Sequence, residues 1–380
     1  MFTLDRSRLL RTALTLSLLV GHLPAAQEDT TASAPLPIRF GVHASSNKRP
    51  DAISQTTASG AGWIRLNSDF VDPDPDFKGF LDAGVNVIIT FANRDPSNID
   101  TTYGTPSEWI HAGFPFRSKS VFQQRIRDVV TPLLPSLSAG RQIWLQCENE
   151  IGDATIGGSA YWRGTTDQYL TILAAFFEEA RSLSPNIRVV LTSFASSNLD
   201  AAIDPLNSSH AYQTQRMSRL LAQGQYDAAD LHFYGCDADI PAKVAWFRGA
   251  APADRLWIST ENSAPNPDCP GYVGWMQGLP AFEQTEASEV SKRLSLCADN
   301  GGTVCLWFSL FDLTGEVDAF NHLGLLDPRV TPARQKPAYF AFQAFVAAVT
   351  PTPTPSSPTP TPTPRPPTVR KGNPVTVPFR

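Results

Sequence analysis

Two glutamates each stand at the end of an apolar run, where a charged group is costly to bury. Glu150 follows Asn149 in WLQCENEIGD (144–153), and Glu261 lies in WISTEN (257–262). A carboxylate beside tryptophan and leucine needs some other group to offset its loss of water. Two carboxyl groups in one pocket can divide the chemistry, since one donates a proton while the other attacks or activates water. They act together only if the fold brings them to the same place.

Other side chains able to bind a polar ligand end similar runs. They comprise a fixed cation, two amides, two imidazoles, a phenol and an indole, namely Arg65, Asn93, Asn149, His43, His232, Tyr234 and Trp307. We take these as the candidate substrate-binding residues, on the condition that the runs end at one edge of the fold.

The runs themselves predict a parallel sheet. Between residues 38 and 348, short β-branched or aromatic stretches alternate with helical patterns such as 120–134 and 165–183, the second with Thr166 as its predicted N-cap. Most of the stretches are apolar without clean alternation, as is typical of parallel strands covered on both faces. The predicted strands are 38–43, 62–67, 85–92, 142–149, 187–193, 229–235, 255–261 and 302–310.

Eight strand–helix repeats predict an α/β fold, a single (β/α)₈ barrel. The alternative is an open doubly wound sheet. Such a sheet normally has a glycine-rich phosphate-binding turn after its first strand, and GVHASSNKRP (41–50) has none. In a barrel the site forms where the carboxyl ends of the strands meet the following loops. Glu150 at the end of the fourth strand and Glu261 at the end of the seventh would then face one pocket.

A pair of carboxylates in that position suits glycoside hydrolysis. One protonates the leaving oxygen, and the other attacks the sugar or activates water. A separation of about 5–5.5 Å gives retention through a covalent intermediate, and about 6.5–9.5 Å gives inversion.

These motifs resemble those of the clan A retaining glycoside hydrolases, which are (β/α)₈ barrels. Asn149-Glu150 matches the clan's Asn-Glu at the end of strand four, and Glu261 matches its strand-seven nucleophile. Arg65 resembles the arginine near the nucleophile, LHFYG resembles the strand-six His-x-Tyr pattern, and Trp307 resembles the strand-eight tryptophan under the sugar. KPAYFAF (336–342) is similar to a C-terminal motif of xylosidase-type relatives. Ile151 stands where many members have proline, so the family within the clan is left open.

The resemblance implies roles for the matched residues. Glu150 would be the acid/base and Glu261 the nucleophile, which Arg65 and the Tyr234 hydroxyl would keep ionised. Asn149 would hydrogen-bond the sugar 2-hydroxyl. His43 and Asn93 are expected to contact the substrate.

Several of these residues have a second interpretation. Glu148 is two residues before Glu150 on the same strand face, so a misread register would make Glu148 the important acid. His232 could be a structural residue with satisfied nitrogens, and Trp307 could pack inside the barrel. VDPDPDF (71–77) spaces three acids but lacks the pattern of a calcium loop, and we interpret it as a solvated turn.

Both ends differ in composition from the middle. Arg6, Arg8 and Arg11 precede the short apolar run ALTLSLLVG and then HLPAAQ, which predicts a secretory signal peptide cleaved after Ala26 and hence a secreted, extracellular protein. The C-terminal repeats of Thr and Pro predict a disordered spacer, which either linked the domain to an accessory module or the cell surface or has no role. The predicted divisions are 1–26 signal peptide, 27–37 linker, 38–349 catalytic domain and 350–380 tail.

The cysteine content and the net charge limit the disulfide bonds, metals and partners that can be expected. Five cysteines allow at most two bridges; we predict one between Cys236 and Cys269 and interpret Cys147 and Cys305 as small core residues. No His/Cys cluster has metal-ligand spacing, so we expect neither metal nor cofactor. A net charge of −5 without a Lys/Arg cluster gives no reason to expect nucleic acid, and no run in the mature chain is apolar enough to span a membrane.

The sequence therefore predicts a secreted retaining glycosidase acting on β-linked poly- or oligosaccharides, a hydrolase of carbohydrate metabolism and polysaccharide degradation. The alternative is a carbohydrate-binding barrel that has lost catalysis, or a surface adhesin held by its Pro/Thr tail.

Overall fold

A computed structural model describes residues 39–44, 49–263, 269–315 and 319–349. The predicted signal peptide (1–26), N-terminal linker (27–37) and Pro/Thr-rich tail (350–380) lie outside these residues. Within them, no helix combines the length and the apolar character that crossing a bilayer requires.

Eight parallel strands close into a barrel in sequence order, each paired with the next and the last paired with the first. The predicted (β/α)₈ barrel is therefore confirmed. The strands are β1 (Arg39–His43), β2 (Trp63–Ser68), β3 (Asn86–Phe91), β4 (Ile143–Cys147), β5 (Arg188–Phe194), β6 (Ala228–Leu231), β7 (Leu256–Asn262) and β8 (Val304–Phe308). An additional two-stranded antiparallel sheet pairs β9 (Leu326–Asp327) with β10 (Arg334–Gln335).

Helices cover the outside of the barrel and alternate with the strands. They are α1 (Ala52–Ala58), α2 (Phe77–Asp82), α3 (Lys119–Val130), α4 (Leu134–Ser138), α5 (Thr166–Leu183), α6 (Ser196–Ile203), α7 (His210–Gln223), α8 (Ile240–Ala250), α9 (Leu279–Asp299) and α10 (Pro337–Val349). Between β5 and β6 the chain forms two helices, α6 and α7, instead of one.

Local chemistry sets where the helices begin and end. The N-cap of α5 is Thr165 and not the predicted Thr166, since Thr165 and Gln168 form a reciprocal capping box with each other's backbone. The predicted helix over 120–134 is interrupted after Val130 by a 3₁₀ turn. Pro132 and Pro135 lack amide donors and are tolerated only in a first helical turn, so each begins a new short helix.

The barrel interior is apolar near the amino ends of the strands and polar near their carboxyl ends. Its lower part is filled by a cluster that includes Trp63 and Trp144, whose rings meet edge-to-face with centroids 5.4 Å apart. Residues two positions further along the same strands, such as Arg65 and Gln146, are buried polar groups. Residues two positions apart on a strand face the same side, so these polar side chains also point into the barrel. They lie nearer the carboxyl ends of the strands than the apolar cluster does.

Two disulfide bonds tie the outer elements together. Cys236 and Cys269 are joined across the loops that follow β6 and β7. Cys297 on α9 is joined to Cys305 on β8. Cys305 is buried in the core, as expected, but it is part of a disulfide bond that was not predicted. The short turn between α9 and β8 passes Gly301 in the left-handed region, at φ +84°, and brings the two sulfurs together. Cys147 on β4 is a buried free thiol.

Removing the two bridges is expected to destabilise the fold by different amounts. Cys236 and Cys269 are 33 residues apart and Cys297 and Cys305 are 8 apart. Loop closure in the unfolded chain predicts losses of roughly 3–4 kcal/mol for the first and roughly 2–3 kcal/mol for the second. Urea unfolding of the Cys236→Ala/Cys269→Ala and Cys297→Ala/Cys305→Ala variants measures both. A larger loss from the second pair would contradict the expectation.

Candidate active site

A cavity of about 530 Å³ opens at the carboxyl ends of the strands. Five of the predicted site residues line it, namely His43, Arg65, Asn149, Tyr234 and Glu261. The fold thus brings together side chains that are separated by up to about two hundred positions in the sequence, as the barrel rule requires.

Glu261 reaches the cavity because β7 changes register near its end. Pairing with β8 shifts between Ser259 and Asn262. At such an irregularity the strict alternation of side chains is lost, so two successive residues can face the same side. The Thr260 hydroxyl donates a hydrogen bond to Asp230 inside the barrel, and the side chain of the next residue, Glu261, lines the cavity.

Glu261 accepts two hydrogen bonds, lies beside a third polar group and is 9% exposed. The Arg65 guanidinium donates to one carboxylate oxygen, the Tyr234 hydroxyl donates to the other at 2.5 Å, and His232 Nδ1 lies 3.4 Å from the latter. Burial alone would favour the neutral acid. The charges of His232 and Arg65 outweigh it and hold the pKa of Glu261 well below its usual range. Glu261 is therefore an ionised carboxylate facing the cavity.

Glu150 follows the end of β4, where the chain leaves the strand in an unusual conformation. Both Glu148 and Glu150 have positive φ, at 61° and 37°. Left-handed backbone is uncommon for a non-glycine residue and is maintained only when surrounding contacts require it. The carboxylate of Glu150 contacts His232, whose Nδ1 lies 2.6 Å from Oε1.

His232 lies beneath the two acids and is fully buried. Its Nδ1 faces Glu150, and its Nε2 is 3.2 Å from Asp230 Oδ2 and 3.2 Å from the Thr260 hydroxyl oxygen. Both ring nitrogens therefore face acceptors, which favours the doubly protonated imidazolium. Burial opposes that charge, but Glu261 and Asp230 raise the pKa of His232 to about 10. The ring is a buried cation among three carboxylates.

Asp230 anchors this cation from below, and sequence reasoning missed it. Its carboxylate accepts hydrogen bonds from Gln146 Nε2, the Ser193 hydroxyl and the Thr260 hydroxyl. Burial opposes ionisation, yet the charge of His232 keeps the pKa of Asp230 below its usual range. The signal was present, because the i, i+2, i+4 spacing of Asp230, His232 and Tyr234 in DLHFY places all three on one strand face.

Asn149 is oriented by hydrogen bonds to its amide oxygen. Arg65 Nη2 donates to Oδ1 at 2.8 Å, and the Ser193 hydroxyl, whose single proton has Asn149 Oδ1 and Asp230 Oδ2 as alternative acceptors, lies 3.0 Å from Oδ1. Ser193 reaches this position because β5 shifts register between Val190 and Ser193. With Oδ1 engaged by Arg65, the amide nitrogen of Asn149 is the group that remains to donate to a ligand in the cavity.

His43 and Phe308 form one wall of the cavity. Their rings stack with centroids 4.9 Å apart. Burial, with the positive charge of Arg65 as the second cause, lowers the pKa of His43 to about 3, so this imidazole is neutral.

Trp307 does not line the cavity, which corrects its assignment to the sugar site. It is fully buried in the cluster between barrel and helices, and its indole donates to the Leu323 carbonyl at 3.3 Å. Adjacent residues of a strand point to opposite faces, so the neighbouring Phe308 faces the cavity instead. An aromatic face is present, supplied by the next residue.

Asn93 and His232 also differ from their assignment as substrate contacts. Asn93 is buried, its side chain donates to the Phe114 carbonyl at 2.8 Å, and it does not line the cavity. It fastens the long loop between β3 and α3. His232 does not line the cavity and contacts Glu150 and Glu261 instead.

Glu148, the alternative acid, lies outside the cavity under the same loop. It is 1% exposed and accepts a hydrogen bond from the Asn93 backbone at 2.8 Å. Gly113 packs so closely against its carboxyl group that a Cβ there would come within 1.8 Å of an oxygen. Burial raises the pKa of Glu148 to about 8. Its neutral carboxyl group supports the loop.

Further cavity residues come from loops. The loop after β3 contributes Arg94 and His111, and the segment after β8 contributes Leu313 and Phe320. Arg94 pairs with Asp69 at 3.3 Å. Nothing in their local sequence pattern marks these residues, since loop side chains carry no strand or helix periodicity.

One group among the described residues has the composition of a metal site. Glu150, His232 and Glu261 place ligand atoms within 4.8 Å of one another. A metal-bound histidine must offer a free lone pair, whereas both nitrogens of His232 face acceptors. Glu261 is also paired with Arg65. These donors suit proton transfer better than metal binding.

No protein-family model matches the chain, and no curated protein does. Solved structures do. A glucosidase from Croceicoccus marinus has a TM-score of 0.54 at 14% identity, over 83% of this chain and 68% of that one. A family 39 glycoside hydrolase from the gut symbiont Bacteroides cellulosilyticus WH2 has 0.51 at 11%, over 82% and 64%. Saccharomyces cerevisiae Gas2p, in complex with laminaritriose and laminaritetraose, has 0.50 at 13%, over 84% and 66%.

The chain spans less than two thirds of the last two proteins. At these identities the similarity shows a shared fold. The barrel is thus one that solved glycoside hydrolases have, as the resemblance to clan A implies.

Proposed function

We propose that this protein is a secreted glycoside hydrolase that cleaves β-glycosidic bonds with retention of configuration. The observation that carries the proposal is the Glu150–His232–Glu261 cluster, in which carboxylate oxygens and an imidazole nitrogen lie within 4.8 Å of one another at a cavity. Carboxyl groups this close fit the shorter of the two separations, which leaves no room for a water between Glu261 and the sugar.

Glu261 is the nucleophile in this mechanism. Its carboxylate attacks the anomeric carbon, forming a glycosyl ester as the bond to the leaving oxygen breaks, and Glu150 gives that oxygen a proton. In the second step Glu150 takes a proton from water, the water oxygen attacks the same carbon, and Glu261 leaves as a carboxylate. Two inversions at one carbon give net retention.

His232 orients the acid/base residue. Its Nδ1 lies 2.6 Å from Glu150 Oε1, and its Nε2 lies 3.2 Å from Asp230 Oδ2. His232 therefore positions the carboxyl group of Glu150 without itself touching the sugar.

The remaining cavity residues bind the sugar. The amide nitrogen of Asn149 donates to the 2-hydroxyl, an interaction that strengthens as positive charge develops on the ring. The Phe308 ring, stacked on neutral His43, offers the apolar face against which a sugar packs.

Activity on a glycoside panel tests the proposal. The panel contains 4-nitrophenyl β-glycosides of glucose, xylose and glucuronic acid, with laminaritetraose, cellotetraose and xylotetraose. We expect hydrolysis of at least one substrate, with the β-anomer as the first product by proton NMR. An α-anomer first would contradict retention. Binding of an oligosaccharide without turnover would favour the carbohydrate-binding alternative.

Secretion is supported by the basic and apolar N-terminal sequence before Ala26. Expression of the full chain in a secreting host, followed by N-terminal sequencing, tests it. A mature chain starting at Gln27 is expected, and retention of residues 1–26 on an intracellular product would contradict secretion.

Replacing Arg65 is expected to move the pH profile. Arg65 is one of the cations that lower the pKa of Glu261, so Arg65→Gln raises this pKa toward its ordinary value. Glu261 then becomes protonated at higher pH, and the acid limb of kcat/KM shifts upward by about one pH unit or more. The matched control is Arg127→Gln, which breaks an arginine–glutamate pair with Glu179 on the outer helices. An unmoved acid limb in Arg65→Gln would contradict this electrostatic role.

A further inference from the structure

A second cavity of about 460 Å³ adjoins the catalytic acid. Glu150 lines this cavity and not the first, whereas Glu261 lines the first and not this one. Tyr161 lines both, so the two cavities meet beside it. Each of the two acids therefore lines a different cavity.

We propose that the second cavity is the subsite for the leaving group and that it takes an uncharged sugar. The proposal rests on the function proposed above. In that chemistry the attacked sugar lies against the nucleophile, and the sugar that departs lies beyond the acid that protonates its oxygen. The second cavity is lined by Glu150 and not by Glu261, as a leaving-group subsite requires.

The cavity presents amide groups that suit hydroxyl recognition. Asn198, near the start of α6, is half-buried, and its side chain makes no hydrogen bond to the described residues. Gln213 on α7 accepts from Arg216 Nη2 at 2.8 Å through its amide oxygen, which leaves its amide nitrogen to donate. These groups offer both donors and an acceptor, as a sugar with several hydroxyls requires.

Apolar surface complements the amides. Tyr161 and Tyr212 border the cavity, and Ile156 stands 60% exposed at its rim. Sugar rings pack their C–H faces on such surfaces while their hydroxyls bond at the edges.

The charges in this cavity favour a neutral ligand. Arg216 is 5% exposed, its terminal nitrogens donate to the Ile151 carbonyl and to Gln213, and its buried Nε has no hydrogen-bond partner among the described residues. It therefore fixes the residue after Glu150 and the orientation of Gln213. A sugar acid would bring an unpaired charge beside Glu150, which costs free energy.

The elements that build the cavity explain why it exists in this chain. Its lining comes from the loop between β4 and α5 and from α6 and α7, the two helices that follow β5. The doubled connection after β5 thus forms a wall opposite Glu150. It follows that the substrate carries sugar on both sides of the cleaved bond and is an oligo- or polysaccharide.

Changes at Asn198 test the subsite. Asn198→Trp fills the cavity, and Asn198→Ala removes one amide. Relative to wild type, we expect Asn198→Trp to lower kcat/KM on laminaritetraose, cellotetraose or xylotetraose at least tenfold. One lost hydrogen bond in Asn198→Ala should cost about threefold to tenfold. The matching β-glucosyl or β-xylosyl fluoride should change less than twofold, because fluoride does not occupy the subsite.

Asn186→Ala, an exposed asparagine before β5, is the matched control and should leave both substrates unchanged. Equal losses on tetrasaccharide and fluoride, or no loss on either, would overturn the subsite while leaving the glycosidase function intact. A wild-type protein that hydrolyses neither substrate would overturn the proposed function and this inference with it.

Discussion

Glu261→Gly is expected to lose at least about 10⁴-fold in kcat on every glycoside, because removal of a covalent nucleophile leaves only binding and positioning. Azide is small enough to enter the space left by the side chain and should restore turnover. It attacks from the side that Glu261 occupied, so the product is the α-glycosyl azide from a β-glycoside.

Glu261→Gln separates chemistry from folding in this experiment. The amide keeps the size of the side chain, its oxygen can still accept from Arg65 and its nitrogen can donate to the Tyr234 hydroxyl, so the melting temperature should remain close to that of wild type. Full activity of Glu261→Gln, or a β-glycosyl azide from Glu261→Gly, would show that Glu261 is not the nucleophile.

Glu150→Ala is expected to lose about 10²–10⁴-fold on oligosaccharides, whose leaving groups need a proton. A 2,4-dinitrophenyl β-glycoside needs no such help, so its first step should survive and give a burst of dinitrophenol. The slow second step lacks its base. Azide replaces water there and should give the β-glycosyl azide, opposite in configuration to the product of Glu261→Gly.

Glu148→Gln is the matched control for Glu150, since it changes an acid two residues away that lies outside the cavity. Its carboxyl group is neutral at pH 7 because burial raises the pKa to about 8, so an amide is a close substitute. We expect kcat within about threefold of wild type. A larger loss for Glu148→Gln than for Glu150→Ala would exchange their assignments.

Sequence reasoning placed most of these residues at the correct end of the barrel because strand order is a strong constraint. Once eight strands are counted, Glu150 and Glu261 must lie at the same end of the barrel, whatever the loops do. Asn149, Arg65, Tyr234 and His43 line the cavity or meet Glu261 for the same reason.

The errors in the sequence prediction come from shifts of a single residue along a strand. Trp307 and Phe308 exchange faces with one step of strand parity, and a short apolar run does not reveal which residue points inward. The shifts of register in β5 and β7 are equally invisible, yet they decide where Ser193 and Glu261 point.

Long-range features were predictable only in part. The Cys236–Cys269 pair was suggested by two polar loops after strands, whereas Cys297–Cys305 depends on a turn from α9 into β8. The second cavity requires knowing that two helices follow β5 and which of their faces turn toward Glu150. Sequence periodicity identifies the helices but does not fix their orientation to the barrel mouth.

The neutral carboxyl group of Glu148 also ties the stability of the barrel to proton concentration. In the unfolded chain this acid is ionised above about pH 4.3, whereas in the barrel it keeps its proton up to about pH 8, so folding takes up a proton between these values. The unfolded state then binds fewer protons than the native one. Over this interval the Glu148 contribution to the free energy of unfolding falls by about 1.4 kcal/mol per pH unit. Glu148 therefore stabilises the loop that follows β3 more at mildly acidic pH than at neutral pH.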